Sequence, residues 1–135
     1  MKNIVLLLVI SLTFGIFACN KTTTHSDKFK LLTDHPWVSD SLLVNGVDAS
    51  GPGGMLSGFT GDVQFNTDYT GTFGQISGTW RFAFNETQLI ISSDSLPLPI
   101  TAVIAELTAV SLKVTTSYTI PGSDPLNIRM TFKPK

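Results

Sequence analysis

The feature that most constrains this chain is a strict alternation of apolar and polar side chains, repeated between closely spaced turn signals. Residues 78–84 place Trp80, Phe82 and Phe84 on one side and Thr79, Arg81 and Ala83 on the other. Residues 126–133 do the same, with Leu126, Ile128, Met130 and Phe132 against Asn127, Arg129 and Thr131. Successive side chains of an extended strand point to opposite faces, so such runs describe antiparallel strands with one buried face and one wet face. A helix would repeat its apolar positions every three to four residues, and these segments do not. From Phe29 onward Thr, Val, Ile, Phe and Ser dominate, the residues that suit a pleated, half-buried surface.

Eight strands are expected on this basis: 37–44, 58–66, 69–73, 78–84, 88–92, 100–108, 110–118 and 126–133. A short turn or helix around 29–32 precedes the first, and Pro36 marks its start. Asn66-Thr67-Asp68, Asn85-Glu86-Thr87 and Pro121-Gly122-Ser123-Asp124-Pro125 carry turn chemistry between the strands. The Gly-rich stretch 51–58 reads as a long, mobile connection. It lacks the Lys-Ser/Thr ending and the strand–helix setting of a phosphate loop. Evenly spaced strands with short turns predict one all-β domain, an antiparallel meander closing into a barrel of about eight strands.

Ahead of the domain, Met1-Lys2-Asn3 is a short basic start, and residues 4–17 are apolar except for Ser11, Thr13 and Gly15. That run is shorter than the ~20 residues a spanning helix needs and has the length of a signal-peptide core. Residues 1–18 are therefore expected to be a signal helix, 19–28 a tether and 29–135 the barrel domain. Asn20 to Lys28 is polar and Thr-rich, with His25 as a solvated linker residue.

Composition narrows function mainly by exclusion. The 135 residues carry a formal net charge of −1, which leaves no basic footprint for nucleic acid. One cysteine forbids an intramolecular disulfide, and two histidines without ligand spacing leave no metal site to expect. The carboxylates lie mostly in turns, His35 precedes Pro36, and no nucleophile-elbow motif occurs, so no catalytic residue, cofactor or enzymatic activity is expected.

Two resemblances add to this reading. Ile16-Phe17-Ala18-Cys19 resembles a bacterial lipobox, although Phe17 stands where a small residue is usual. The resemblance implies that Cys19 is the lipid attachment point and that the mature protein is held on the outer membrane. The absence of an acidic run after Asn20 then favours the periplasmic face. Within the domain, Leu31-Leu32-Thr33 before Trp37, Val63-Gln64-Phe65-Asn66 with Asp68-Tyr69-Thr70-Gly71, Gly78-Thr79-Trp80-Arg81-Phe82, Gln88-Leu89-Ile90-Ile91, and Leu107-Thr108 through Leu112-Lys113 occur in series. Their order resembles the lipocalin-like domains of small lipoproteins from Bacteroidetes-type bacteria. Lipocalins carry a last-strand Arg over a first-strand Trp, so the resemblance implies that Arg129 packs on Trp37 and closes the barrel base.

Two functional readings follow, and the sequence leaves both open. In the first, the barrel binds a small apolar or amphipathic ligand, with Met55, Leu56 and Phe59 at its mouth and Phe73, Trp80 and Phe82 along the cavity. In the second, Trp37, Phe65, Phe73, Trp80, Phe82, Phe84, Tyr118 and Phe132 fill the interior. The protein is then a non-enzymatic accessory to another envelope protein. Inward Ala102, Ala105 and Ala109 would favour a cavity. Arg81 and Glu106 are expected to face solvent. Asp40-Ser41-Leu42 and Asp94-Ser95-Leu96 resemble short O-glycosylation motifs of the same bacteria.

Overall fold

The computed structural model describes residues 23–135, so Cys19 and the signal segment lie outside the described residues. The chain begins with helix α1 (Asp27–Thr33) and continues into β1 (Trp37–Val44), β2 (Val47–Asp48), a single 3-10 turn (Ser57–Phe59), β3 (Asp62–Phe65), β4 (Thr70–Phe73) and β5 (Ile76–Ala83). It ends with β6 (Gln88–Ser92), β7 (Ile100–Leu107), β8 (Leu112–Tyr118) and β9 (Leu126–Pro134). Every sheet pairing is antiparallel, and β1 pairs with β9 along its full length. That pairing closes β1 and β3 to β9 into an eight-stranded meander, a lipocalin-like barrel, with β2 an added hairpin strand on β1.

The alternation read from the sequence sets the faces. Leu42, Met130, Val114 and Ile104 are register partners on the inside. Leu43, Arg129, Thr115 and Val103 are register partners on the outside. Bulges between Ser39 and Ser41 and between Ile104 and Glu106 restore this phase where the strands bend. Gly71 and Gly78 face each other across β4 and β5. A Cβ on Gly71 would meet the Gln64 carbonyl oxygen and, at 2.9 Å, the Phe73 ring, so bare backbone here makes room for the aromatic core.

Helix α1 seals one end. Ser26 caps it by accepting the Phe29 N–H (3.1 Å), and its hydroxyl donates to the Glu86 carboxylate (2.6 Å). Lys28 donates to the Glu86 carbonyl (2.8 Å), which pins the helix to the β5–β6 turn. Phe29 and Leu32 enter the core, and the Trp37 indole N–H donates to the Leu32 carbonyl (3.0 Å). The segment between β2 and β3 seals the other end, with Leu56 and Phe59 buried. It is a fixed plug: Leu56 N–H donates to Ala49 (3.0 Å), Phe59 N–H to Leu56 (3.0 Å) and Gln75 N–H to Gly58 (2.8 Å).

Several expectations need correction. The second strand starts at Asp62 because 57–59 turns inward as a 3-10 element, and the seventh starts at Leu112. Phe84 is 75% exposed and adopts a left-handed conformation with Asn85 and Glu86, so it ends β5 in a turn and leaves the core set. Tyr118, at 48% exposed, also lies outside that set. Of the three alanines, Ala102 faces inward, while Ala105 and Ala109 are exposed.

Candidate functional site

A site inside the barrel would need space among its aromatic side chains. Buried Trp80 gathers the Phe29, Phe65, Tyr69 and Phe82 rings around it at centroid distances of 5.3–5.5 Å. Its indole N–H donates to the Asn66 carbonyl (3.1 Å). Phe73 packs edge-on against Phe65 at 5.3 Å. The space left among these side chains is about 20 Å³, lined by Phe59, Val63, Phe65, Phe73, Leu89 and neighbours. Ligand pockets run to ~300 Å³ and above, so the interior is a packed core. Leu56, Phe59, Phe73 and Trp80 of the expected ligand set are therefore brought together as core, Phe82 is partly buried against it, and Met55 points out at 48% exposure.

Trp37 and Arg129 are kept apart. The register seats Trp37 beside Pro134 and Arg129 beside Leu43, five positions along β9. Alternation also sends them to opposite faces, Trp37 inside and Arg129 out. The ring over Trp37 belongs to His35, at 4.4 Å. The two short glycosylation-like motifs fall in different settings, Ser41 in paired β1 and Ser95 in the exposed turn after β6.

The outer wall carries the larger concavity, a groove of about 800 Å³ crossing β1, β9, β8, β7 and β6. One row of register partners runs through it: Leu43, Arg129, Thr115, Val103, Gln88. Thr101, Ser117, Asn127 and Asn45 add hydroxyl and amide groups along its sides. Arg129 is the only charged residue in its lining. Among the described residues its guanidinium has no ion pair or hydrogen bond. The Gln88 side-chain oxygen is shielded from solvent and accepts no hydrogen bond. Sequence reasoning assigned Arg129 to the barrel base and passed over Gln88. The strand alternation could have put both outside, but their alignment in one row needs the register.

Elsewhere several charged groups are already partnered. The Thr70 hydroxyl and N–H hold Asp68 below the usual carboxylate range, and Ser50 does the same for Asp48. Glu106 is held low by hydrogen bonding to Ser111 and Lys113, the latter also an ion pair at 3.2 Å. No charged residue is buried and no three metal-ligating side chains converge among the described residues. No helix among them is long and apolar enough to cross a membrane.

The fold and its surfaces define a class: a closed, filled, eight-stranded antiparallel barrel with a recess of about 800 Å³ on its outer wall. Compared with known proteins, the chain matches no family model and no curated sequence.

Proposed function

We propose that this is a non-enzymatic, lipid-anchored protein of the bacterial envelope that recognises its partner through the outside of a filled barrel. The observation carrying the recognition half is the packed interior: about 20 Å³ of space, with α1 closing one end and Leu56 and Phe59 the other. An interior ligand would require this plug to withdraw, whereas the outer groove is open as it stands. The anchoring half rests on the sequence, on the signal-like run 4–17 and the lipobox-like placement of Cys19, with the periplasmic face of the outer membrane as the site. The motif order that resembles lipocalin-like lipoproteins supports the same location. Three acyl chains at Cys19 would hold the domain stably, since one chain alone binds a bilayer only marginally.

Intact mass and palmitate labelling of the full chain made in a Gram-negative host test the anchor. The expected product begins at Cys19, carries fatty acyl mass and partitions with membranes, and the Cys19→Ser variant loses all three properties. An unacylated product of the wild-type chain would refute anchoring. Native mass spectrometry of the same preparation tests the other half. A small molecule retained by the wild-type barrel but lost on interior substitution would return the function to the lumen.

A further inference from the structure

We propose that the α1 end of the barrel seats on the lipid surface that carries its anchor, with Phe84 and Val110 entering the bilayer interface. This rests on the reading that Cys19 is acylated, and it adds an orientation of the domain to that reading. Strand β1 leaves α1 at Trp37, so antiparallel pairing returns the chain to the same end at the turns 66–69, 84–87 and 108–111. Each of these turns exposes one large apolar or aromatic side chain: Tyr69 at 45%, Phe84 at 75% and Val110 at 71%. Such side chains suit a membrane interface, where rings and aliphatic groups leave water while the neighbouring polar groups stay wet.

Phe84 breaks two local rules at once. Its ring stands in solvent outside the core, and its backbone is left-handed (φ 48°), as are Asn85 and Glu86 after it. Bulky residues adopt that conformation only at a cost, and Asn, Asp or Gly would fit it better. A local rule broken without a gain in packing marks a functional position. The tether decides what this turn faces. The Ser26 hydroxyl donates to the Glu86 carboxylate (2.6 Å) and the Lys28 ammonium to the Glu86 carbonyl (2.8 Å), two positions from Phe84. Ser26 is seven positions from Cys19, a reach of at most ~25 Å. Acyl chains at Cys19 therefore hold the start of α1, and the turn bonded to it, next to the bilayer. The far end exposes Val47 and Leu98 as well, so exposure alone does not choose between the ends. Neither of those residues has left-handed backbone, and the tether enters at the other end.

The test places full chains with one added tryptophan in vesicles of phosphatidylethanolamine and phosphatidylglycerol, with and without bromine high on the acyl chains. Bromine quenches an indole that enters the lipid, and the emission of buried Trp37 and Trp80 in the wild type is the baseline. Phe84→Trp and Val110→Trp should each lose about half of their added emission to brominated lipid and shift to shorter wavelength, whereas Leu98→Trp should lose none. Adding Phe84→Asp to Val110→Trp should cut its quenching about twofold. Asp accepts left-handed backbone, so the melting temperature should stay that of wild type. Equal quenching of Phe84→Trp and Leu98→Trp would overturn the proposal. A shorter emission wavelength for Phe84→Trp without quenching would mean that a protein surface covers the turn, and would also overturn it. Intact mass reads acylation in the same preparation. If acyl mass is missing, Cys19 is coupled to a maleimide phospholipid and the quenching repeated, so failure of the anchor and failure of docking are separable.

Discussion

Replacing Phe73 by Ala probes the packed interior on which the reading of this barrel depends. Phe73 is 1% exposed, borders the 20 Å³ void and meets the Phe65 ring. Truncation at Cβ would remove ~100 Å³ of side chain, and at ~24 cal/mol per Å³ of residual cavity this costs ~2.4 kcal/mol. The lost transfer free energy of the ring adds ~1.5 kcal/mol, for a total of ~4 kcal/mol. For a domain of this size that lowers the melting temperature by on the order of 15–30 °C. Phe73→Leu fills most of the space and should cost ~1 kcal/mol. Urea unfolding of all three proteins gives the comparison. A further signature is expected: the new apolar cavity should take up benzene, which stabilises Phe73→Ala and leaves wild type unchanged. A loss below ~1 kcal/mol on truncation to Ala would mean that the ring already borders open space, and the filled-barrel argument would fail.

Four other expectations follow from the same geometry. Arg129→Ala should leave stability within ~0.5 kcal/mol, because the side chain is exposed and distant from Trp37. By contrast, Trp37→Phe should cost ~1–3 kcal/mol by stranding the Leu32 carbonyl in the core. A clear drop in melting temperature for Arg129→Ala would restore the ring–cation contact expected from resemblance. Asp68 should titrate below the ordinary value of ~3.9 by carboxyl-detected NMR, and Thr70→Val should raise its midpoint toward that value. Its folded pKa is depressed, so its contribution to stability is present above the unfolded pKa and fades as pH falls through the folded one. Equal midpoints in the two proteins would refute the role of Thr70. Ser26→Ala should cost ~1 kcal/mol through the lost helix cap. It also severs the link to Glu86, and faster amide exchange at Phe29 is the readout.

The period of the alternating runs carried most of the architecture. Ile128, Met130 and Phe132 face the core because a strand's side-chain period is two, and that period is visible without coordinates. The misses occur where another force overrides it. Phe84 continues the apolar series of Trp80 and Phe82, yet the β5–β6 turn takes it into left-handed backbone and out to solvent. Leu56 and Phe59 lie in a Gly-rich segment that reads as loose. It becomes a plug because the open end of the barrel offers apolar surface that two buried side chains can cover.

Local chemistry in the chain thus determines strands, turns, an inward aromatic set and a lone cysteine behind an apolar leader. Whether the aromatic set leaves a cavity is a matter of volume. The same rings could line a lumen or fill it, and only the fit of α1, the 57–59 turn and the facing Gly71 and Gly78 decides that they fill it. The outer groove belongs wholly to the tertiary structure. Arg129 and Gln88 are 41 positions apart in the chain and fall into one row only through three strand pairings, and no local pattern encodes how strands so far apart are aligned.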